Sequence, residues 1–221
     1  MQVSTYHAAD KANKFIYKRL GIKFHRYLYQ EGNEIEFIDT EIPETGQLRD
    51  MTVKVDDDHI RITEFMSAAL NEDKLSAMYD YHESIRCDVN YQGYGVKSGV
   101  FSFANPNHGK RQIIVDDNII FQPEIIFTKN RDGWEVLNRL IYKVITQEEL
   151  SDDEAIDLLM LPDMEIELPK KVLMRVICFL ISNSIISDLN FKNDLKDCLI
   201  QVLKRFFEKK RIVRNGGNVK T

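Results

Sequence analysis

The stretch DMTVKVDDDHIRITEFMS, residues 50–67, constrains the fold more than any other. Two runs alternate between apolar and polar residues on either side of Asp56-Asp57-Asp58, a turn chemistry in which aspartate is favoured. This pattern predicts an antiparallel hairpin. A three-residue turn pairs Val55 with His59 and, counting back, sets Asp50 opposite Glu64. A two-residue turn shifts the pairing by one and sets Asp50 opposite Phe65. In the first register Asp50, Thr52, Lys54, Ile60, Ile62, Glu64 and Met66 share a face, because side chains alternate along a strand. Glu64 then stands in an apolar strand, where an ionised carboxylate is costly without a compensating charge. Facing Cβ atoms lie only ~5 Å apart. Two carboxylates that close repel unless a proton or a cation lies between them. Mg²⁺ could fill that place, since it takes a few carboxylates and keeps several waters. The alternative is a pair solvated at a sheet end. The three aspartates lack the glycine and the distal glutamate of a calcium loop and read as turn residues.

Around the hairpin the chain divides into an α/β part and a helical part. A helix is expected over about 8–20, with Gly21 as its stop. IKFHRYLY (22–29) and EIEFID (34–39) read as extended, separated by Glu31-Gly32-Asn33, and PETGQ (43–47) reads as a loop. Leu75, Met78, Tyr79, His82 and Ile85 recur at helical spacing and predict a helix over about 72–86. His82 has two readings, a satisfied core residue or a group near bound substrate. YQGYGVKSG reads as a loop, and VFSF, RQIIV and NIIFQPEIIFT as strands, with Pro123 breaking the last. From Trp134, read as core, the chain is helical. Ser151 and Glu154 form a capping box, Pro162 ends one helix and Pro169 begins another. The expected fold is α/β: a mixed central β-sheet of about five strands flanked by helices over 1–130. A helical C-terminal extension over 131–221 should pack on the same domain.

Composition narrows the setting. The hydrophobic content of 43% and charged content of 29% are those of a soluble globular protein. The first twenty residues contain no apolar run of the secretory kind, and VLMRVICFLISNSII (172–186) is too short and too polar for a span, so no membrane is expected. Cys87, Cys178 and Cys198 form neither a disulfide framework nor a zinc pattern, which points to a reducing, cytoplasmic setting. The net charge of −5 conceals a segregation: residues 111–166 carry 5 basic and 13 acidic residues, whereas 204–221 carry 7 basic and 1 acidic. Lys204, Arg205, Lys209, Lys210 and Arg211 are therefore candidates for nucleic-acid phosphates, with a solvated helix end as the other reading. No glycine-rich phosphate loop, nucleophile elbow or dinucleotide fingerprint is present. Composition leaves the oligomeric state open, a homodimer included.

TEIPETGQLRDMTVKVDDDHIRITEFMSAALNEDKLSAMYDYHESI (40–85) resembles the PD-(D/E)XK-type proteins grouped as recombination-promoting nucleases and transposase-like proteins. Arg49-Asp50 is similar to the family's Asp element, Glu64-Phe65-Met66-Ser67 to its Glu-Phe-Gln-Ser-like strand, and Tyr81-His82 to a pair on the following helix. GWEVLNRLIYKVITQEELSDDEAIDLLMLP (133–162) is similar to the family's helical C-terminal half, so the loose likeness spans about two-thirds of the chain, and its sharpest part is about twenty residues long. It implies Asp50, Glu64 and the main-chain carbonyl of Phe65 as ligands of Mg²⁺ or Mn²⁺, and hydrolysis of DNA phosphodiesters. The third position of the family's motif is Lys or Gln; here it is Met66, which can neither hold water nor offset phosphate charge. Lys54 lies on the same expected face and is the candidate substitute, although four residues place it ~13 Å along the strand. The resemblance implies a metal-dependent endonuclease. The alternatives are the same fold without catalysis, serving as a nucleic-acid-binding or protein-interaction module, and an unrelated α/β domain with exposed hairpin carboxylates.

Overall fold

The computed structural model of the chain describes residues 6–38 and 50–207, the side chains of residues 6–10 excepted. Helix α1 (Tyr6–Leu20) stops at Gly21, whose φ of 54° suits a residue without Cβ. Helix α2 (Ile22–Tyr29) follows at once, where an extended segment was expected. The reason lies in its buried set, Phe24, His25, Leu28 and Tyr29. These positions repeat at i, i+1, i+4 and i+5, a helical face that the aromatic, strand-like composition conceals. The expected strand at 34–39 survives as β1 (Ile35–Phe37). The loop expected at 43–47 lies outside the described residues.

Strands β2 (Met51–Val55) and β3 (His59–Met66) form the hairpin, with Val55 opposite His59 and Met51 opposite Thr63. The three-residue turn is therefore the one adopted. Helix α3 (Glu72–Arg86), capped by Asn71, leads to β4 (Gly95–Ser102), which lies parallel to β3 along its whole length. Strand β4 begins earlier than its glycines suggested, because pairing to β3 extends through Gly95 and Gly99. Strands β5 (Ile113–Asp116) and β6 (Ile119–Phe121) form a separate hairpin, and β7 (Glu124–Phe127) starts just after Pro123 and pairs with β4. The sheet order β1-β2-β3-β4-β7 gives the expected mixed five-stranded sheet, with the 50–66 hairpin inside it.

The pleat sends alternate residues to two layers. Met51, Val53, Val55, Phe65 and Phe101 join α1 and α2 in the main core, while Ile60, Ile62 and Val100 face α3. The main core continues without a break into α4 (Gly133–Thr146), α5 (Asp152–Met160), α6 (Lys170–Asn183) and α7 (Leu189–Phe207). The capping box at Ser151 and Glu154 is formed. Trp134, expected in the core, is 42% exposed, because α4 buries Val136, Leu137 and Leu140 instead. Buried Asp157 ties α5 to α2, to α4 and to the segment before α4. It accepts both guanidinium nitrogens of Arg131 (2.6 and 2.9 Å), one of Arg139 (2.9 Å) and the hydroxyl of Tyr27 (2.9 Å). A carboxylate so enclosed needs such compensation. No helix among the described residues is long and apolar enough to cross a membrane.

Candidate functional site

Register places the acidic pair. Met51 faces Thr63, so Asp50 stands at the mouth of the hairpin beside Glu64, and its amide donates to Glu64 Oε1 at 3.3 Å. Asp50 turns its own carboxylate onto the neighbouring strand. Oδ2 accepts the amide of Phe65 at 2.8 Å, and Oδ1 meets the ammonium of Lys14, from α1, at 2.6 Å. Asp50 is thus compensated on both oxygens. Glu64 is half-buried, and burial first, then the charge of Asp50, pushes its pKa up to about 8; Lys74 and Lys14 work the other way. At neutral pH Glu64 holds a proton. The pair is one positive charge short of being doubly ionised.

The pair has part of the donor chemistry of a hard-cation site, two carboxylates, one of which accepts the Phe65 amide. A cation entering it would replace the Glu64 proton and share Asp50 with Lys14. Among the described residues no group of three His, Cys, Asp or Glu side chains comes together to hold a metal, so such a cation would rely on main-chain and water ligands.

Other candidates fall elsewhere. Lys54 is not brought to Asp50; it lies at the opposite end of the hairpin, bound to Asp57 at 2.8 Å and seated over the Tyr94 ring. The strand rise that separates residues 50 and 54 explains this outcome. Met66 packs against the apolar cluster of Leu70, Leu75, Met78, Val100 and Phe121, so its thioether belongs to the α3 interface. His82 meets Ser98 Oγ at 3.1 Å and the edge of Phe121, and burial lowers its pKa. It lines a cavity of ≈440 Å³ beside α3. Ser98 lies opposite Ile62 and Val100 opposite Glu64, so His82 sits two residues back along the sheet from the pair. Lys14 had no sequence signal: α1 places it, and only the packing of α1 on the hairpin brings it to Asp50.

Of the basic residues at the C-terminal end, Arg205 is engaged. Its guanidinium pairs with both oxygens of buried Asp163 and lies against Phe206 and Phe103, so it is not available to phosphates. Lys204 is exposed, and Lys209, Lys210 and Arg211 lie outside the described residues, as does Arg49.

Fold and site together define an α/β protein with a mixed five-stranded sheet and a charge-deficient carboxylate pair at the mouth of its inner hairpin. Comparison with protein-family models, with curated proteins and with solved structures finds no match.

Proposed function

We propose that the chain is a Mg²⁺- or Mn²⁺-dependent DNA endonuclease of the PD-(D/E)XK kind, with a modified third position. One observation carries the reading: Asp50 and Glu64 meet at the hairpin mouth, with Glu64 held above the ordinary carboxylate range by burial and by the charge of Asp50. A metal bound there would supply Lewis-acid stabilisation and an activated water. Asp50 and Glu64 would hold it, with the Phe65 carbonyl. Lys14, already paired with Asp50, is the ammonium at hand there in place of the one that position 66 lacks. A hairpin ending in the pair and followed by a helix is the order that the resemblance of residues 40–85 implies.

A second reading rests on Met66. Its burial under α3 removes one functional position, and the Lys14 ammonium neutralises Asp50 without any metal. The same fold would then bind nucleic acid or protein without cutting. Nicking of supercoiled plasmid in Mn²⁺ separates the two. The parent chain should nick slowly, and Asp50→Asn should lose on the order of 10²-fold or more. Nicking that survives Asp50→Asn, or no nicking by the parent at any Mn²⁺ concentration, contradicts the endonuclease reading.

A further inference from the structure

Two surfaces complement each other in polarity and charge. The first is a groove of ≈440 Å³ between α6 and α7, lined by Lys171, Met174, Arg175, Cys178, Leu203 and Phe207. Phe179, 60% exposed and one turn beyond Arg175, extends its apolar side. Lys171, Arg175 and Lys204 have no ion-pair partner among the described residues, whereas most arginines there are paired. Lys170 and Lys171 also occupy the first turn of α6, where the helix dipole disfavours cations, and that turn carries no acidic residue. A surface that breaks the local rule without internal compensation points outward, to an anionic occupant.

The second surface is the β5–β6 hairpin. Ile113 and Phe121 face inward against α3, but the cross-strand pair Ile114 and Ile120 is 74% and 61% exposed. Val115 and Ile119 are also open to solvent. Apolar side chains grouped in this way on a protruding hairpin mark a contact surface. Its tip is acidic: Asp116 caps the turn through the amides of Asn118 and Ile119, and exposed Asp117 has no partner among the described residues.

We infer that the β5–β6 hairpin of one copy of this chain docks in the α6/α7 groove of a second copy, with Ile114 and Ile120 against Phe179, Leu203 and Phe207, and Asp117 toward Lys171. The hairpin packs on α3, whereas the groove lies between α6 and α7. The contact joins two different surfaces, so it propagates or closes into a ring.

Sedimentation velocity over a concentration series tests this with the full chain alone. The parent should self-associate with a Kd on the order of 10–100 µM, as suits a small interface, and more weakly at high salt. Asp117→Lys and Lys171→Glu, both exposed and outside the core, should each weaken association about tenfold or more. Mixing the two variants should restore a dimer, because one retains an intact groove and the other an intact hairpin. A parent coefficient independent of concentration, association indifferent to both substitutions, or a mixture no better than its components would each overturn the inference.

Discussion

Glu64 shows how one residue's surroundings set a measurable property of the whole chain. Its pKa in the fold is about 8, against an ordinary 4.5, because burial and Asp50 both disfavour its charge. The folded state therefore keeps a proton that the unfolded state has lost, and stability falls as pH rises between those values. The slope is at most about 1.4 kcal/mol per pH unit. Two other residues act in the opposite sense at lower pH. His25, fully buried against Tyr17, is lowered to about 4 by burial, so stability is lost as pH falls below the imidazole range. Glu31 works against its own burial, but hydrogen bonds from Lys97, Arg61 and His59 hold it at about 2, and the stability it adds is lost as pH falls from 4.5 to about 2. Glu64 is thus the group that governs the interval from about 6.5 to 8. Urea unfolding at pH 6.5 and 8 should show the parent weaker at pH 8, and Glu64→Gln should remove most of that difference. An unchanged difference in the variant would place the titrating group elsewhere.

At the scale of elements, the hairpin positions the pair and its support comes from behind. Tyr29 of α2 donates or accepts with Thr63 Oγ1 at 2.9 Å inside the core, directly beside Gly99 of the paired strand. A Cβ at Gly99 would collide with the Tyr29 ring and hydroxyl. Gly99→Ala should therefore cost about 1–3 kcal/mol, as overpacking of a filled core does. The urea midpoint should fall with an unchanged m-value; an unmoved midpoint would show that Tyr29 gives way freely. The hairpin, its register and α3 were legible in sequence because period-2 alternation and helical spacing are strong local signals. The pair at residues 50 and 64 followed from that register. Helix α2 was not legible, since Phe24, Tyr27 and Tyr29 carry strand-like propensity and only burial against the sheet selects the helix. The early start of β4 was hidden by Gly95, Ser98 and Gly99, whose strand geometry comes from pairing with β3. Trp134 misled because aromatic size suggests burial, whereas α4 turns its smaller residues inward. Lys14 and the engaged state of Arg205 were invisible for a common reason: each depends on a partner distant in sequence, Asp50 and Asp163.

At the scale of the whole molecule, the charge distribution decides where nucleic acid would meet the chain. The net charge of −5 is repulsive toward phosphates, and the basic residues of 204–221 stand against it. Arg205 is bound to Asp163, so the proposed phosphate contacts fall to Lys204, Lys209, Lys210 and Arg211. Each contact should add roughly 0.9 to the slope of log affinity against log salt. Deleting residues 208–221 should therefore weaken duplex binding and flatten that slope by roughly two to three; the same affinity and slope after deletion would make the basic run a solvated helix end. The central claim, a divalent-cation site at Asp50 and Glu64, is tested most directly by calorimetric titration of the parent with Mn²⁺ at pH 7 in buffers of different ionisation enthalpy. The predicted result is one binding event that releases close to one proton per ion, the proton Glu64 holds, and that is lost in both Asp50→Ala and Glu64→Ala. Binding without proton release, or binding that persists in either variant, would contradict it.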